Sequence, residues 1–252
     1  MNAILLCAGF ATRMYPLTRN FPKPLLPVGD RPVLDYLMDQ IAELPEISEV
    51  HLVSNAKFYD HFLLWLENHR NHGTYSSLRI LIHNDGCLEN DNRLGAAGDL
   101  NLALQSIDEP GKTIVSGGDN IYQFSLAPLW GDFVRDKEHR VVALAEKDIN
   151  KRQKTGVLEF ADNDRVVRLH EKPEKPSSQW VCPPLYFFQD SVRESLDEFL
   201  ASSANHDAPG HFIDFLCQND VVKAFRLESS RLDIGSIESY HEADQLMRRE
   251  FY

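Results

Sequence analysis

Short apolar runs alternate with helical patterns through the first half of the chain. Strands are predicted at residues 2–7, 49–54, 78–83 and 112–116, because these runs have strand length and turn residues at their flanks. Strands that alternate with helices indicate a mainly parallel sheet covered by helices. The helix positions expected to face inward are Val33, Leu34, Leu37 and Ile41 in the first helix and Phe58, Phe62, Leu63 and Leu66 in the second.

Two further helix signals complete this half. Asp30-Arg31-Pro32 predicts the N-cap and an early proline of the first helix, and residues 98–107 form a third helical pattern.

The second half of the chain changes character. Few helices are predicted in it before residues 212–217. No Ser/Gly-rich linker separates the halves, so we expect an antiparallel or mixed extension of the same sheet rather than a separate domain. The predicted strands are residues 140–146, 156–160, 165–170, 185–188 and 221–227.

Composition narrows the classes of function. Of the 252 residues, 43% are hydrophobic and 25% are charged, which suits a protein with a substantial core. The net charge of −12 argues against nucleic-acid binding, and any phosphate site must be locally basic or use metal ions. The cysteines form no CxxC pair, and no apolar run is long enough to span a bilayer. With no cleavable leader pattern either, we expect a cytoplasmic protein with reduced, buried thiols and no membrane partner.

The turn after the first strand is the strongest chemical signal. Ala8, Gly9 and Ala11 keep it small, so a phosphate could approach backbone N–H groups at the carboxyl end of the strand. Arg13 offers a planar fork for phosphate oxygens, and Lys23, between two prolines, offers a compact charge. A dinucleotide-binding turn would need GxGxxG, and this turn reads GFATRM.

The segment LLCAGFATRMYPLTRNFPKPLLP resembles the signature loop of the sugar-1-phosphate nucleotidyltransferases, the enzymes that make nucleotide sugars. The resemblance implies that Ala8, Gly9, Ala11 and Thr12 bind the nucleotide. It implies catalytic roles for two cations: Arg13 would clamp the β- and γ-phosphates, and Lys23 would bridge the attacking phosphate and the α-phosphate. The sequence departs from the family at Ala11, where most members have glycine, and also at Phe10.

Further matches to this family follow in its order along the chain. The turn Leu94-Gly95-Ala96-Ala97-Gly98 resembles the one that lies against the base and ribose, which implies nucleotide binding by Leu94, Gly95 and Gly98. Asp119, after two glycines, and Asp233, in LDIGS and expected to open a C-terminal helix, match the two aspartates that bind Mg²⁺. Two carboxylates suit a hard cation that also takes phosphate oxygens.

The remaining matches concern the sugar. Gly156 would let the sugar approach the backbone, Glu171 would accept hydrogen bonds from its hydroxyls, and Lys172 would neutralise its phosphate. A family segment that usually reads Gly-x-Tyr-x-Phe has Pro184 in place of its glycine, which removes an N–H donor.

The resemblance implies a three-layer α/β/α Rossmann-like fold with a mixed, mainly parallel central sheet. It also implies transfer of a nucleotidyl group from an NTP to a sugar 1-phosphate, with Mg²⁺ as cofactor and pyrophosphate as the second product. We expect one domain over residues 1–252, with a nucleotide-binding half (1–120), a sugar-binding half (121–252) and no C-terminal β-helix.

The sequence leaves the acceptor substrate and the class of function open. The acceptor could be a non-sugar phosphate such as phosphocholine, or the chain could be an inactive, nucleotide-binding regulatory subunit. The base, the sugar and the oligomeric state, including a homo-oligomer, are not determined by the sequence.

Overall fold

Parallel strands and amphipathic helices dominate the first part of the fold, and antiparallel pairing dominates the middle. The computed structural model describes residues 1–109, 111–202 and 204–250. The helices are α1 (Val33–Ala42), α2 (Tyr59–Asn71), α3 (Gly95–Gln105), α4 (Leu126–Arg135), α5 (Ile149–Arg152), α6 (Val192–Ala201), α7 (Pro209–Asn219) and α8 (Ile237–Glu250). The strands are β1 (Asn2–Leu6), β2 (Pro27–Val28), β3 (Arg31–Pro32), β4 (Glu49–Ser54), β5 (Arg79–Asn84), β6 (Thr113–Gly117), β7 (Asn120–Tyr122), β8 (His139–Ala145), β9 (Gly156–Phe160), β10 (Arg165–His170), β11 (Trp180–Cys182), β12 (Leu185–Phe188), β13 (Val222–Leu227) and β14 (Arg231–Asp233).

The described chain divides into two compact units made of non-consecutive segments. The first, here called the parallel unit, contains Asn2–Arg93, Gly117–Ala127 and Arg231–Tyr252. The second, here called the mixed unit, contains Leu94–Ser116 and Pro128–Ser230, together with Met1.

In the parallel unit, β4 pairs in parallel with β1 on one side and β5 on the other. Parallel strands need a crossover, and α1 and α2 provide the two connections. The inward face of α1 is as predicted, since Val33, Leu34, Leu37 and Ile41 are all buried. On α2 the prediction for Leu63 is wrong: it is 41% exposed, and Trp65 is buried instead.

A second apolar core in this unit joins distant parts of the chain. Met14, Leu26 and Val28 from the segment after β1 pack with Ile121, Ile234 and two residues of α8, Ala243 and Met247. The side chain of Asp244 on α8 accepts a hydrogen bond from the Gly29 N–H at 2.8 Å. The C-terminal helix therefore supports the segment that carries Lys23.

In the mixed unit the strand order is β11-β9-β10-β13-β8-β12-β6. Among the described strands of this unit, β13 and β8 pair in parallel, and the other pairs are antiparallel. The α/β class with a mixed sheet is thus confirmed, and the antiparallel pairing of the second half agrees with the sequence pattern.

Three local predictions are wrong. Asp30 does not cap α1, because it lies in a turn with φ 69° and Arg31–Pro32 form a short strand before the helix begins at Val33. The third helix begins at Gly95 rather than at residue 98. The middle of the chain also contains more helix than predicted, namely α4, α5 and α6.

The four cysteines are buried thiols, as expected. Within the described ranges, no helix combines the length and the apolar character that crossing a bilayer requires.

Candidate active site

The turn after β1 is held by a buried asparagine. The side-chain amide of Asn55, just beyond β4, donates a hydrogen bond to the Ala8 carbonyl at 2.8 Å. Its side-chain oxygen accepts from the Phe58 N–H at 3.0 Å, at the start of α2. Asn55 is fully buried, so it fixes Ala8 and the neighbouring Gly9 at the carboxyl end of the parallel strands.

Ala11 adopts the backbone conformation that glycine favours. Its φ of 48° and ψ of 42° lie in the left-handed region, which costs an L-residue about 1–2 kcal/mol. The Ala11 carbonyl accepts hydrogen bonds from the Met14 N–H at 2.9 Å and from the buried Thr18 hydroxyl at 2.8 Å. These contacts hold the strained residue, so the alanine keeps the geometry that a glycine would adopt freely.

The two cations of this segment have different surroundings. Arg13 lies in the short 3-10 turn Thr12–Met14. Its side chain is exposed and has no ion-pair or hydrogen-bond partner among the residues that the structure describes. Lys23 begins a second 3-10 turn, and its side chain is only 12% exposed because its ammonium forms an ion pair with Asp119.

Asp119 and Asp233 belong to neighbouring positions of one strand pair. Asp119 precedes β7, and Asp233 ends β14, where it pairs in register with Asn120. Asp233 therefore ends a strand and does not open the C-terminal helix, which begins four residues later at Ile237. The Asn120 amide donates to Asp119 Oδ1 at 2.7 Å, and a guanidinium nitrogen of Arg231 lies 3.5 Å from Asp233 Oδ2.

The charges around Asp119 keep it ionised. Burial acts to raise the pKa of Asp119, but the Lys23 ammonium and the Arg231 guanidinium outweigh it and hold that pKa below its ordinary value. The result is a carboxylate with cations nearby, in a segment that also exposes Arg13. Two cations thus offset the carboxylates at this point of a protein whose net charge is −12.

Two carboxylates at one strand pair fit Mg²⁺ by their donor chemistry. Mg²⁺ takes oxygen ligands, and it is usually bound by one or two carboxylates together with water and substrate phosphates. Among the described residues, no group of three or more His, Cys, Asp and Glu side chains could hold a metal ion. Asp119 and Asp233 would therefore share the ion with substrate oxygens rather than enclose it.

The turn at Leu94–Gly98 belongs to the mixed unit. Gly95 has a φ of +77°, and a Cβ there would lie 2.6 Å from the His206 carbonyl oxygen. The Ala96 N–H donates to the Asp207 carbonyl at 3.0 Å, while Leu94 is 45% exposed. The glycine is thus required by close packing within this unit, and the Leu94 side chain leaves an apolar surface exposed.

Glu171 is enclosed by two glycines of the same unit. A Cβ on Gly156 would lie 3.4 Å from Glu171 Oε2, and a Cβ on Gly210, in the first turn of α7, would collide with the same oxygen. The Lys172 ammonium is 3.2 Å from Glu171 Oε1. Lys172 is 55% exposed and has a φ of 46°. The structure thus brings Gly156, Glu171 and Lys172 together.

The proline that replaces the family glycine lies just before β12. Pro183 accepts a hydrogen bond from the Leu185 N–H at 2.7 Å, and Tyr186 is buried and stacks on Phe188. The strand continues as predicted despite the missing N–H of Pro184.

Comparison with known proteins adds a decisive observation. A family model described as Nucleotidyl transferase matches residues 2–250. The chain belongs to the Nucleotidyl transferase family.

Relatives in this family agree with that assignment. The chain is 26% identical over 238 residues to the "Bifunctional protein GlmU" of Methanocaldococcus jannaschii, covering 93% of this chain and 51% of that protein. It is 28% identical to the "UTP--glucose-1-phosphate uridylyltransferase AglF" of Haloferax volcanii, covering 99% and 98%. The chain spans about half the length of the GlmU relatives that it matches.

A solved structure has the same fold. It is a Bacillus anthracis protein assigned as a glucose-1-phosphate thymidylyltransferase, with a TM-score of 0.84 and 22% identity, covering 98% of this chain and 95% of that one. At this identity the likeness concerns the fold alone.

Three residues of the candidate site were not singled out from the sequence. Asn55 follows the second parallel strand, and a polar residue at that edge is a usable signal. Thr18 belongs to the signature segment but had no assigned role. Arg231 lies two residues before Asp233, and residues two apart share one face of a strand.

Proposed function

We propose that this member of the Nucleotidyl transferase family transfers a nucleotidyl group from an NTP to a sugar 1-phosphate and releases pyrophosphate. The observation that supports this most is the pairing of Lys23 with Asp119 beside Asp233. The Gly118 N–H donates to the Leu6 carbonyl at the end of β1, so Asp119 and its partner Lys23 lie close to the turn with small residues. Phosphates bind at such turns.

We assign the residues of the parallel unit to the triphosphate. Ala8, Gly9, Ala11 and Thr12 would offer backbone N–H groups, and Arg13, which is exposed, would clamp the β- and γ-phosphates. Lys23 would exchange its ion pair with Asp119 for the substrate phosphates, and would bridge the attacking phosphate and the α-phosphate. Mg²⁺ held by Asp119 and Asp233 would withdraw electron density from the α-phosphate.

Residues of the mixed unit would bind the rest of the substrates. Leu94, Gly95 and Gly98 would lie against the nucleotide, with the exposed Leu94 side chain as the apolar surface. Glu171 would accept hydrogen bonds from the sugar hydroxyls, Lys172 would hold the sugar phosphate, and Gly156 would let the sugar approach.

The reaction needs no covalent intermediate on the protein. An oxygen of the sugar phosphate would attack the α-phosphorus, the bond from the α-phosphorus to the bridging oxygen would break, and pyrophosphate would leave with the electron pair. Both substrates are anions, so the cations raise the rate by positioning them and neutralising their charge.

A pyrophosphate-release screen tests this function. Each of UTP, dTTP, GTP, CTP and ATP is incubated with Mg²⁺ and a panel of sugar 1-phosphates, and phosphocholine is included as a non-sugar acceptor. We expect release with at least one sugar 1-phosphate. Release with phosphocholine alone would favour the other acceptor class, and no release with any pair would favour a regulatory, nucleotide-binding role.

Two variants test the roles of the charged residues. Lys23→Ala and Asp119→Ala should each lower kcat by roughly 10²–10³-fold, the scale of losing one electrostatic stabiliser. Circular dichroism checks that each variant is folded. Near wild-type turnover in a folded variant would contradict the assignment.

The proposal extends to the location, the domain organisation and the metal ion of the enzyme. We infer a cytoplasmic protein whose residues 1–252 act as one nucleotidyltransferase domain, with Mg²⁺ as its ion. Size-exclusion chromatography with light scattering would determine whether it forms a homo-oligomer.

A further inference from the structure

Arg231 lies among the groups that we assign to the metal ion. It shares one face of β14 with Asp233, two residues away, and Asp233 pairs with Asn120 of β7. One guanidinium nitrogen donates to the Asn120 side-chain oxygen, and the other lies 3.5 Å from Asp233 Oδ2. The side chain is only 12% exposed, so the guanidinium is held in place rather than solvated.

Asn120 connects this arginine to the other carboxylate. Its side-chain oxygen accepts from Arg231, and its amide donates to Asp119 Oδ1 at 2.7 Å. Because the amide has distinct donor and acceptor ends, this pattern fixes its orientation. Arg231 therefore contacts Asp233 directly and reaches Asp119 through Asn120.

The charges of this cluster balance without any metal ion. Asp119 and Asp233 carry two negative charges, and Lys23 and Arg231 carry two positive charges. Lys23 has a flexible stem and can withdraw, whereas a guanidinium remains charged at every ordinary pH and is held here by oriented hydrogen bonds. A divalent cation that enters alone would approach two carboxylates beside a fixed positive charge.

We propose that Arg231 is a built-in counter-cation of this carboxylate pair, which positions Asp119 and Asp233 before the metal ion binds and weakens the binding of a free divalent cation. The inference rests on the metal site of the proposed function. It follows that the site takes its metal ion together with an anionic triphosphate, whose charge offsets that of the guanidinium, rather than alone.

Manganese binding to the purified, full-length protein tests this proposal without any turnover. Free Mn²⁺ is followed by electron paramagnetic resonance during titration, with and without a non-hydrolysable nucleoside triphosphate. We expect Arg231→Gln to bind Mn²⁺ alone at least about tenfold more tightly than the wild type, or about 1.4 kcal/mol. The gain in Mn²⁺ affinity caused by the triphosphate should be smaller in this variant.

Two further variants separate charge from general effects of substitution. Arg231→Lys keeps a positive charge and should bind Mn²⁺ about as weakly as the wild type. Arg248→Gln is a matched control, because Arg248 also pairs with two carboxylates, those of Asp30 and Asp244, in the same unit. It should leave Mn²⁺ binding unchanged. Arg231→Met repeats the test should the glutamine variant fail to fold.

The Mn²⁺ affinities of these variants distinguish the role of Arg231 from the metal site itself. Unchanged, weaker or absent Mn²⁺ binding in folded Arg231→Gln would overturn the counter-cation role, and weaker binding would show a purely structural one. Equal Mn²⁺ binding by wild type, Asp119→Asn and Asp233→Asn would instead overturn the metal site of the proposed function. Loss of binding in the aspartate variants without a gain in Arg231→Gln would leave that site intact and refute only the role of Arg231.

Discussion

Replacing Asn55 by alanine removes the side chain that holds the phosphate-binding turn. The buried Ala8 carbonyl, now 2.8 Å from the Asn55 amide, would lose that partner, and the Phe58 N–H would lose the side-chain oxygen at 3.0 Å and keep only the backbone carbonyl of residue 55 at 3.3 Å. An unsatisfied buried group costs about 1–3 kcal/mol, and partial relaxation of the backbone reduces that cost. Since one group is left without its partner, we expect the free energy of unfolding to fall by roughly 1–3 kcal/mol.

The same change should weaken nucleotide binding more than acceptor binding, because the turn is assigned to the triphosphate. Urea unfolding followed by circular dichroism measures the stability, and pyrophosphate release measures KM for both substrates. Ser54→Ala is the matched control: Ser54 is also fully buried, but its hydroxyl makes one hydrogen bond, to the Asn55 carbonyl at 3.1 Å. A stability loss for Asn55→Ala no larger than that of the control would refute the reasoning.

Three further predictions concern other parts of the molecule. Gly210→Ala should raise KM for the sugar 1-phosphate at least about tenfold, because the new methyl group displaces the Glu171 carboxylate, and it should not raise KM for the NTP. The control is Gly131→Ala, which has open space around its Cβ and should raise neither KM. Burial lowers the pKa of His139, so the folded state binds fewer protons than the unfolded state, and stability should fall as pH drops through about 6.5. His139→Gln should reduce that fall in urea unfolding measured from about pH 8 to about pH 5; an equal fall would contradict it. Ala11→Gly should raise the unfolding free energy by about 0.5 kcal/mol, since relief of the left-handed φ exceeds the entropy that glycine adds to the unfolded chain; a decrease in the urea midpoint would contradict this.

Strands were the most predictable part of the fold. The bounds of β4, β9, β10 and β12 match the prediction, because each is a short run rich in strand-forming residues that ends near turn or loop residues. Helix ends were less predictable. Asp30 has the character of an N-cap, but the chain uses it in a turn at φ 69°, where α8 packs against the neighbouring Gly29. Such tertiary contacts override local preference.

The candidate site likewise contains residues that could be predicted from the sequence and residues that could not. Small residues, cations and aspartates could be identified by motif, because the chemistry of phosphates restricts the residue types that can serve. Asn55 and Arg231 could not, since their importance lies in what they contact, and those contacts join β4 to the turn after β1 and β14 to β7. Pairing of strands β7 and β14 joins residues more than a hundred positions apart, and no periodicity in the sequence reports it.

The core shared by the first and last segments has a consequence for synthesis on the ribosome. Met14, Leu26 and Val28 leave the ribosome long before their packing partners Ala243 and Met247 are made. The order of translation therefore leaves the Lys23 segment without its apolar support until α8 has been made. A nascent chain arrested before α8 would have this core open to solvent, whatever the state of its other parts.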